Sequence, residues 1–398
     1  MEFGDCMKDV LMVNEDYIMI NTGSWGIVPK DIFNHRMNLI RLQEENPRYF
    51  FCEKHFELYE KNTSLVANFV GADERNIVLT DNTTHGINSC LISVPLSEGD
   101  AILVHSFIYL ATLKATEKIA KQRGFKVRNV DIKLPINDEE EFVQLFEQKL
   151  ENFPDIKMVI IDHISSSVPI LWPVEKLMKL FKDRNIIVLI DGAHGPGQVS
   201  LNLTELDPDF YSASLHKWNF VPRSFGMLYV KEKYHEDFYN IISGARYDWK
   251  PFRKRFQYLS ARDQTSLFCF EKSREFVEKV GGMDNIIKYN SSLMKAATKM
   301  LVEAWNTSYL PVPNSMMAPN MSLIKLPCMK KYPIPEEAKE ILFTDYPELL
   351  FKLNEEFHIN TSVFCLNGEA WIRISSQIFN SMHEYEKLRD VILTLSNE

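Results

Sequence analysis

The chain has 398 residues, with 45 Lys and Arg against 54 Asp and Glu, a formal net charge of −9, 45% hydrophobic and 25% charged residues. That length exceeds what one hydrophobic core sustains, so two structural units are expected, and the apolar fraction is ample to build both. The acidic balance speaks against a broad nucleic-acid footprint, which needs a basic stripe, and no run of eighteen or so apolar residues supports a membrane span.

From the N-terminus, residues 1–20 carry Asp5, Lys8, Asp9, Glu15 and Asp16. That pattern fits neither a secretory h-region nor an acid-poor transit peptide, so a cytoplasmic protein is expected. Residues 29–70 are rich in helix formers. Residues 76–79 read as a strand leading into the polar turn Thr80-Asp-Asn-Thr-Thr-His-Gly, with an apolar helical pattern behind it. A strand at 101–104, a helix at 111–123 and a strand at 126–130 repeat the β-α-β alternation. Residues 157–162 and 186–190 are near-continuous apolar runs, with a helix at 174–182 between them, as buried parallel strands should be. Two further strands at 210–213 and 226–230 bring the expected total between about 70 and 235 to roughly seven.

Beyond Tyr234 the pattern changes to longer amphipathic helices at 267–280 and 283–305, punctuated by Gly281-Gly282. Strands at 321–326, 360–365 and 370–375 and a closing helix at 382–395 suggest a smaller α+β unit. The expected division is an N-terminal arm at 1–28 contributing to the small domain and the active site, a large domain at 29–245, and a small domain at 246–398. The six cysteines show no C-x-x-C spacing, so neither a disulfide framework nor a metal site is expected, and most should be reduced, buried and inert.

Three polar turns follow strands. In Ile187-Val-Leu-Ile-Asp-Gly-Ala-His, Asp191 ends an apolar strand, where a carboxylate faces the crevice in which α/β sheets bind ligands. Alone, it reads equally as a loop residue or an N-cap. Ser214-Leu-His-Lys-Trp puts Ser214, His216 and Lys217 directly after a core strand, although most lysines are surface residues. Thr80 to Gly86 offers hydroxyls and backbone N–H groups at a helix N-terminus that favours a dianion, or an ordinary cap by Asn82 or Thr83. Asn21-Thr-Gly-Ser-Trp-Gly adds a glycine turn, and Arg373 a cationic fork able to grip a carboxylate.

Together these pieces resemble the class V family of pyridoxal-phosphate-dependent aminotransferases, and within it the isopenicillin N epimerase-like branch, over nearly the whole chain. The resemblance is carried by Asn21 to Gly26 (Asn-x-Gly-Ser-x-Gly), Asn82-Thr-Thr, Asp191 to Gly197 (Asp-Gly-Ala-His-x-Pro-Gly) and His216-Lys-Trp. It implies an α/β protein of the type I fold of pyridoxal-phosphate-dependent transferases, with a mainly parallel seven-stranded sheet in the large, cofactor-binding domain plus a smaller α+β domain. It also implies pyridoxal 5'-phosphate as cofactor, a small-molecule amino-acid substrate, a homodimer, and neither nucleic acid nor membrane as partner.

Residue by residue, the resemblance makes Lys217 the Schiff-base lysine and proton shuttle, and Asp191 the partner that keeps the ring nitrogen protonated. Thr83, Thr84, Ser214 and His216 would surround the phosphate, Tyr109 would stack on the ring and serve as an acid, and His194 would sit beside the ring. Asn21, Ser24 and Arg373 would hold the substrate. Two departures stand out: Ser260-Ala-Arg-Asp replaces Gly-Thr-Arg-Asp, so that either Ser260 or Thr265 would stand in for a cross-subunit threonine or that contact would be weaker, and Arg223-Ser224 replaces a glycine-containing turn.

The branch contains hercynylcysteine sulfoxide lyases of ergothioneine synthesis and cysteine desulfhydrases, so a carbon-sulfur β-lyase releasing pyruvate and ammonia is the leading expectation. An aminotransferase or an amino-acid epimerase are the alternatives within the family, and a non-catalytic scaffold is the alternative outside it. A persulfide-carrying desulfurase would need a mobile Cys, whereas Cys365 lies in an apolar run and reads as a buried strand residue. Trp25, Phe107, Trp249 and Trp371 read as core aromatics rather than specificity determinants.

Overall fold

The computed structural model describes residues 2–336 and 343–398. In chain order its strands are β1 (Ile18–Met19), β2 (Ile77–Thr80), β3 (Ala101–His105), β4 (Lys126–Val130), β5 (Ile156–Asp162), β6 (Ile187–Asp191), β7 (Phe210–Ser214), β8 (Gly226–Val230), β9 (Met321–Lys325), β10 (Phe343–Asp345), β11 (Ile359–Asn360), β12 (Ser362–Leu366) and β13 (Glu369–Ser375). The longer helices are α1 (Lys30–Glu45), α2 (His55–Phe69), α3 (Thr83–Ser93), α4 (Leu110–Arg123), α5 (Glu139–Asn152), α6 (Val174–Lys182), α7 (Phe270–Lys279), α8 (Met283–Trp305), α9 (Pro347–Phe357) and α10 (Met382–Asn397).

The expected seven strands form one sheet in the order β2-β8-β7-β6-β5-β3-β4, parallel throughout except for β8, which runs antiparallel to β2 and β7. Strand β5 explains why the run was so uniformly apolar: Met158, Val159, Ile160 and Ile161 are all fully buried, because helices cover both faces of the sheet. Helix α6 lays Val174, Leu177, Met178 and Phe181 inward and keeps Lys179 and Lys182 in its last turn, where cations suit the helix dipole.

The smaller unit is the four-stranded antiparallel sheet β10-β12-β13-β9. Its core joins Leu293 and Leu301 of α8, Ile324 of β9, Leu349 of α9, Ile372 of β13 and Leu388 of α10. Strand β1 pairs in parallel with β11, which ties the N-terminal segment to this unit. Among the described residues, no helix is long and apolar enough to cross a membrane.

Two expectations are corrected. Cys90, Cys269 and Cys365 are buried, but Cys6, Cys52 and Cys328 are exposed, because they lie outside the apolar stretches that fill the core. Of the four aromatics expected in the core, Phe107 and Trp371 are buried, whereas Trp25 is 61% and Trp249 44% exposed. Trp25 sits in a four-residue helical turn and Trp249 in an irregular stretch, neither with an alternating or longer helical stripe to turn it inward.

Candidate active site

The site lies at the C-terminal ends of β5, β6 and β7, where the connecting turns open above the sheet. Asp191 and Lys217 line the same cavity, about 320 Å³ in volume. Asp191 is buried at the end of β6, where its Oδ2 accepts from Thr112 Oγ1 on α4 at 3.0 Å and its Oδ1 from the Ala193 N–H at 3.1 Å. Burial, reinforced by the neighbouring charge of Asp162, raises its pKa to about 7. Asp162 ends β5 as the Cα partner of Asp191, and neither of its carboxylate oxygens has a hydrogen-bond partner among the described residues. The buried His105 lies beside it, with Nε2 3.6 Å from Asp162 Oδ1.

Lys217 leaves β7 on a tight turn anchored by His216, whose Nδ1 lies 3.0 Å from the Phe225 carbonyl. Its Nζ is 2.9 Å from His194 Nε2. Burial lowers the Lys217 pKa to about 8 against the opposing pull of Asp191, and burial likewise takes His216 down to about 4. His194 is pushed well below its ordinary value by burial and then by the charges of Lys217, Arg373 and His216.

At the other end of the cavity, Asn82 caps α3 by accepting from the His85 N–H at 2.9 Å, so the bland reading of that turn holds as well. Thr83 and Thr84 then form the first turn of the helix. Thr83 Oγ1 lies 2.7 Å from Ser214 Oγ, and Ser212 Oγ donates to the Thr83 carbonyl at 3.0 Å, which fixes the helix start against β7. Hydroxyls and a helix N-terminus at one end and a buried carboxylate at the other form a dipolar slot that suits an anion on one side and a cation on the other.

Tyr109, half exposed just before α4, stands at the mouth beside Trp25, Arg223 and Ser224. Arg223 donates to the Trp25 carbonyl at 2.8 Å. Nine of the eleven candidate residues therefore meet at this cavity, and Ser24 is among them. Asn21 and Arg373 stand behind its wall: Arg373, 3% exposed, donates to the Ser166 carbonyl at 2.8 Å, to Asn21 Oδ1 at 2.8 Å and to Ser24 Oγ at 2.6 Å. Ser260 is exposed and does not line the cavity, while the Thr265 hydroxyl is engaged with Asp263 and Arg36. Sequence reasoning missed Thr112, Asp162 and Ser166. Of these only Asp162 carried a signal, since it ends an apolar run just as Asp191 does.

A lysine amine facing a buried carboxylate, with a hydroxyl-lined helix start opposite, has the donor set that pyridoxal 5'-phosphate requires of a protein: a nucleophile for the aldehyde, an anion for the ring nitrogen and a cradle for the phosphate. Similarity to known proteins agrees with that geometry. The chain is 28% identical to the hercynylcysteine sulfoxide lyase of Schizosaccharomyces pombe over 344 residues, 82% of this chain and 86% of that protein. It is 26% identical to a probable chloroplastic L-cysteine desulfhydrase of Arabidopsis thaliana over 95% of this chain and 82% of that protein. The fold matches that of the cystine C-S lyase C-DES, solved with cysteine persulfide, with a TM-score of 0.78 at 18% identity over 96% and 98% of the two chains. The family model for class-V aminotransferases matches residues 48–326, the stretch that holds both Asp191 and Lys217, and the chain belongs to that family.

Proposed function

We propose that this pyridoxal-phosphate-dependent enzyme is a carbon-sulfur β-lyase acting on a cysteine-derived amino acid, of the hercynylcysteine sulfoxide lyase or cysteine desulfhydrase type. The observation that carries the reading is the shared cavity of Lys217 and Asp191, taken with the names of the curated relatives. Bound there, the cofactor supplies an electron sink for the carbanion formed at the substrate Cα. Lys217 would hold the cofactor and, as an uncharged amine, would take the substrate Cα proton. Asp191 holds the positive ring nitrogen, and Thr83, Thr84, Ser214 and His216 hold the phosphate. The Tyr109 hydroxyl at the mouth protonates the departing sulfur. Ser24 meets the substrate carboxylate, with Asn21 and the Arg373 charge behind it.

Two features favour elimination over persulfide storage. Cys365 is buried in β12 and paired with Thr344 and Ala370, and burial raises its thiol pKa, which disfavours the nucleophilic thiolate. Elimination also needs only one base and one acid, and Lys217 and Tyr109 supply them. On this reading the enzyme works in the cytosol as a homodimer, with the second copy covering the exposed apolar segment between Tyr239 and Trp249.

The test is a panel of cysteine conjugates and their sulfoxides assayed for pyruvate and ammonia. Stoichiometric release from at least one member is expected, together with a borohydride-fixed adduct that is absent in Lys217→Ala. Racemisation or amino transfer without pyruvate would replace the lyase by an epimerase or aminotransferase. Absence of any adduct in the wild type would leave a scaffold.

A further inference from the structure

The two nitrogens of His194 face different partners, and this decides where its proton sits. On one side, the Trp218 indole Nε1–H donates to Nδ1 at 3.3 Å. On the other, Nε2 lies 2.9 Å from Lys217 Nζ and 3.3 Å from Ser166 Oγ. An indole nitrogen is only ever a donor, so Nδ1 must keep its lone pair, and a neutral imidazole with a bare Nδ1 carries its proton on Nε2.

We propose that Trp218 is a positioning residue: its N–H locks His194 in the Nε2–H form, and that N–H in turn donates to Lys217 and favours the uncharged amine. The inference rests on the reading of Lys217 as the reacting amine and adds the device that readies it. An ammonium at Lys217 would need a lone pair on Nε2, hence a proton on Nδ1, and would set two N–H groups head to head across the contact with Trp218. An imidazolium fails for the same reason.

The indole is held by packing that does not involve His194. Trp218 is 1% exposed and packs with Ile164 beyond β5 and with Ala318 and Met321 at the start of β9. Gly197 crosses so close that an added Cβ would lie 2.8 Å from the Trp218 Cβ. The direction of the N–H is therefore fixed before Lys217 arrives. The charged groups around Lys217 divide: Asp191 on β6 and Asp162 on β5 favour the ammonium, whereas burial and Arg373 on β13 oppose it. His216 and Arg223 stand on the turns beside it. With the electrostatics so balanced, the hydrogen bond from His194 tips the state.

The test is competitive acetylation of Lys217 by acetic anhydride in the cofactor-free full chain across pH, read by peptide mass, for the wild type and Trp218→Phe, a change that keeps a ring and removes the N–H. The half-reaction point should move up by about one pH unit, which is about tenfold less free amine at pH 7. Superimposable profiles in a folded variant would overturn the proposal. Nitrogen-15 spectra of the wild type, with His194 assigned by its loss in His194→Gln, give a check that does not depend on the variant folding. A His194 found protonated at Nδ1, or at both nitrogens, would equally overturn it. Neither measurement involves substrate turnover, so failure of the lyase reading would leave both results standing.

Discussion

At the scale of single residues, the site is governed by two carboxylates that share a buried wall. Asp162 and Asp191 are register partners on adjacent parallel strands, and the charge of the first raises the proton affinity of the second. Thr112 and the Ala193 N–H supply Asp191 with neutral donors only, so among the described residues no cation is hydrogen-bonded to the pair. A positively charged ring nitrogen is such a cation. Asp191→Asn keeps the shape and removes the charge, and breaking a buried pair on one side costs about 3 kcal/mol, roughly a hundredfold. Cofactor retention measured by equilibrium dialysis should fall by that factor, and an unchanged Kd would remove Asp191 from the proposed role. Lys217 gives a pH test of definite sign. Its pKa is lowered to about 8 by burial, so the uncharged amine grows as pH rises through that value and is complete above it. The rate of cofactor capture in stopped-flow mixing should therefore reach half its maximum near pH 8 and level off by about pH 9.5. An ordinary lysine, with a pKa near 10.4, would still be gaining rate at pH 10.

At the scale of elements, the turns matter more than the strands. Gly26 closes the N-terminal turn with φ +71°, and a Cβ there would lie 1.8 Å from the His216 carbonyl, inside the turn that bears Lys217. Gly26→Ala should cost on the order of 3 kcal/mol in urea unfolding and displace the lysine as well. Gly99→Ala, at φ +89° with open space around it, should cost only about 1 kcal/mol, the backbone strain alone. Equal losses for the two would sink the steric account. The same contrast explains what could be read from sequence. Strands β3, β5, β6 and β8 were legible because burial on both faces leaves a nearly unbroken apolar run between turn residues. Helix α5 was overlooked although its signals were present: Asp138 caps it, Glu139, Glu140 and Glu141 fill its first turn, and Phe142, Phe146 and Leu150 make its buried stripe. Strand β10 has three residues, too few for any period to register.

At the scale of the whole molecule, the site is drawn from parts that sequence cannot bring together. Arg373 belongs to β13 of the smaller unit, yet it reaches Ser166 beyond β5 and Asn21 and Ser24 near the N-terminus. Its motif was readable, but its position behind the wall was not, because that depends on how two units dock. A second such assembly step is proposed at the surface. Tyr239, Ile241, Ile242, Tyr247 and Trp249 are 38–54% exposed within eleven residues, an apolar density that isolated monomers avoid. Ser260 is also exposed and takes no part in its own cavity. A second copy seated on this face would bury the patch, and the free Ser260 hydroxyl would then be available to the neighbour's phosphate cradle. Sedimentation of the wild type should give about twice the 46.4 kDa chain mass. The double change Ile241→Asp and Ile242→Asp should halve that mass, and because the cradle would lose its outer donor, cofactor retention should weaken in the same variant. Ser260→Ala separates the two effects: it should weaken retention while the dimer persists. A wild type that sediments as a monomer would refute the assembly, and a dimer in which Ser260→Ala binds the cofactor normally would keep the interface but remove Ser260 from it.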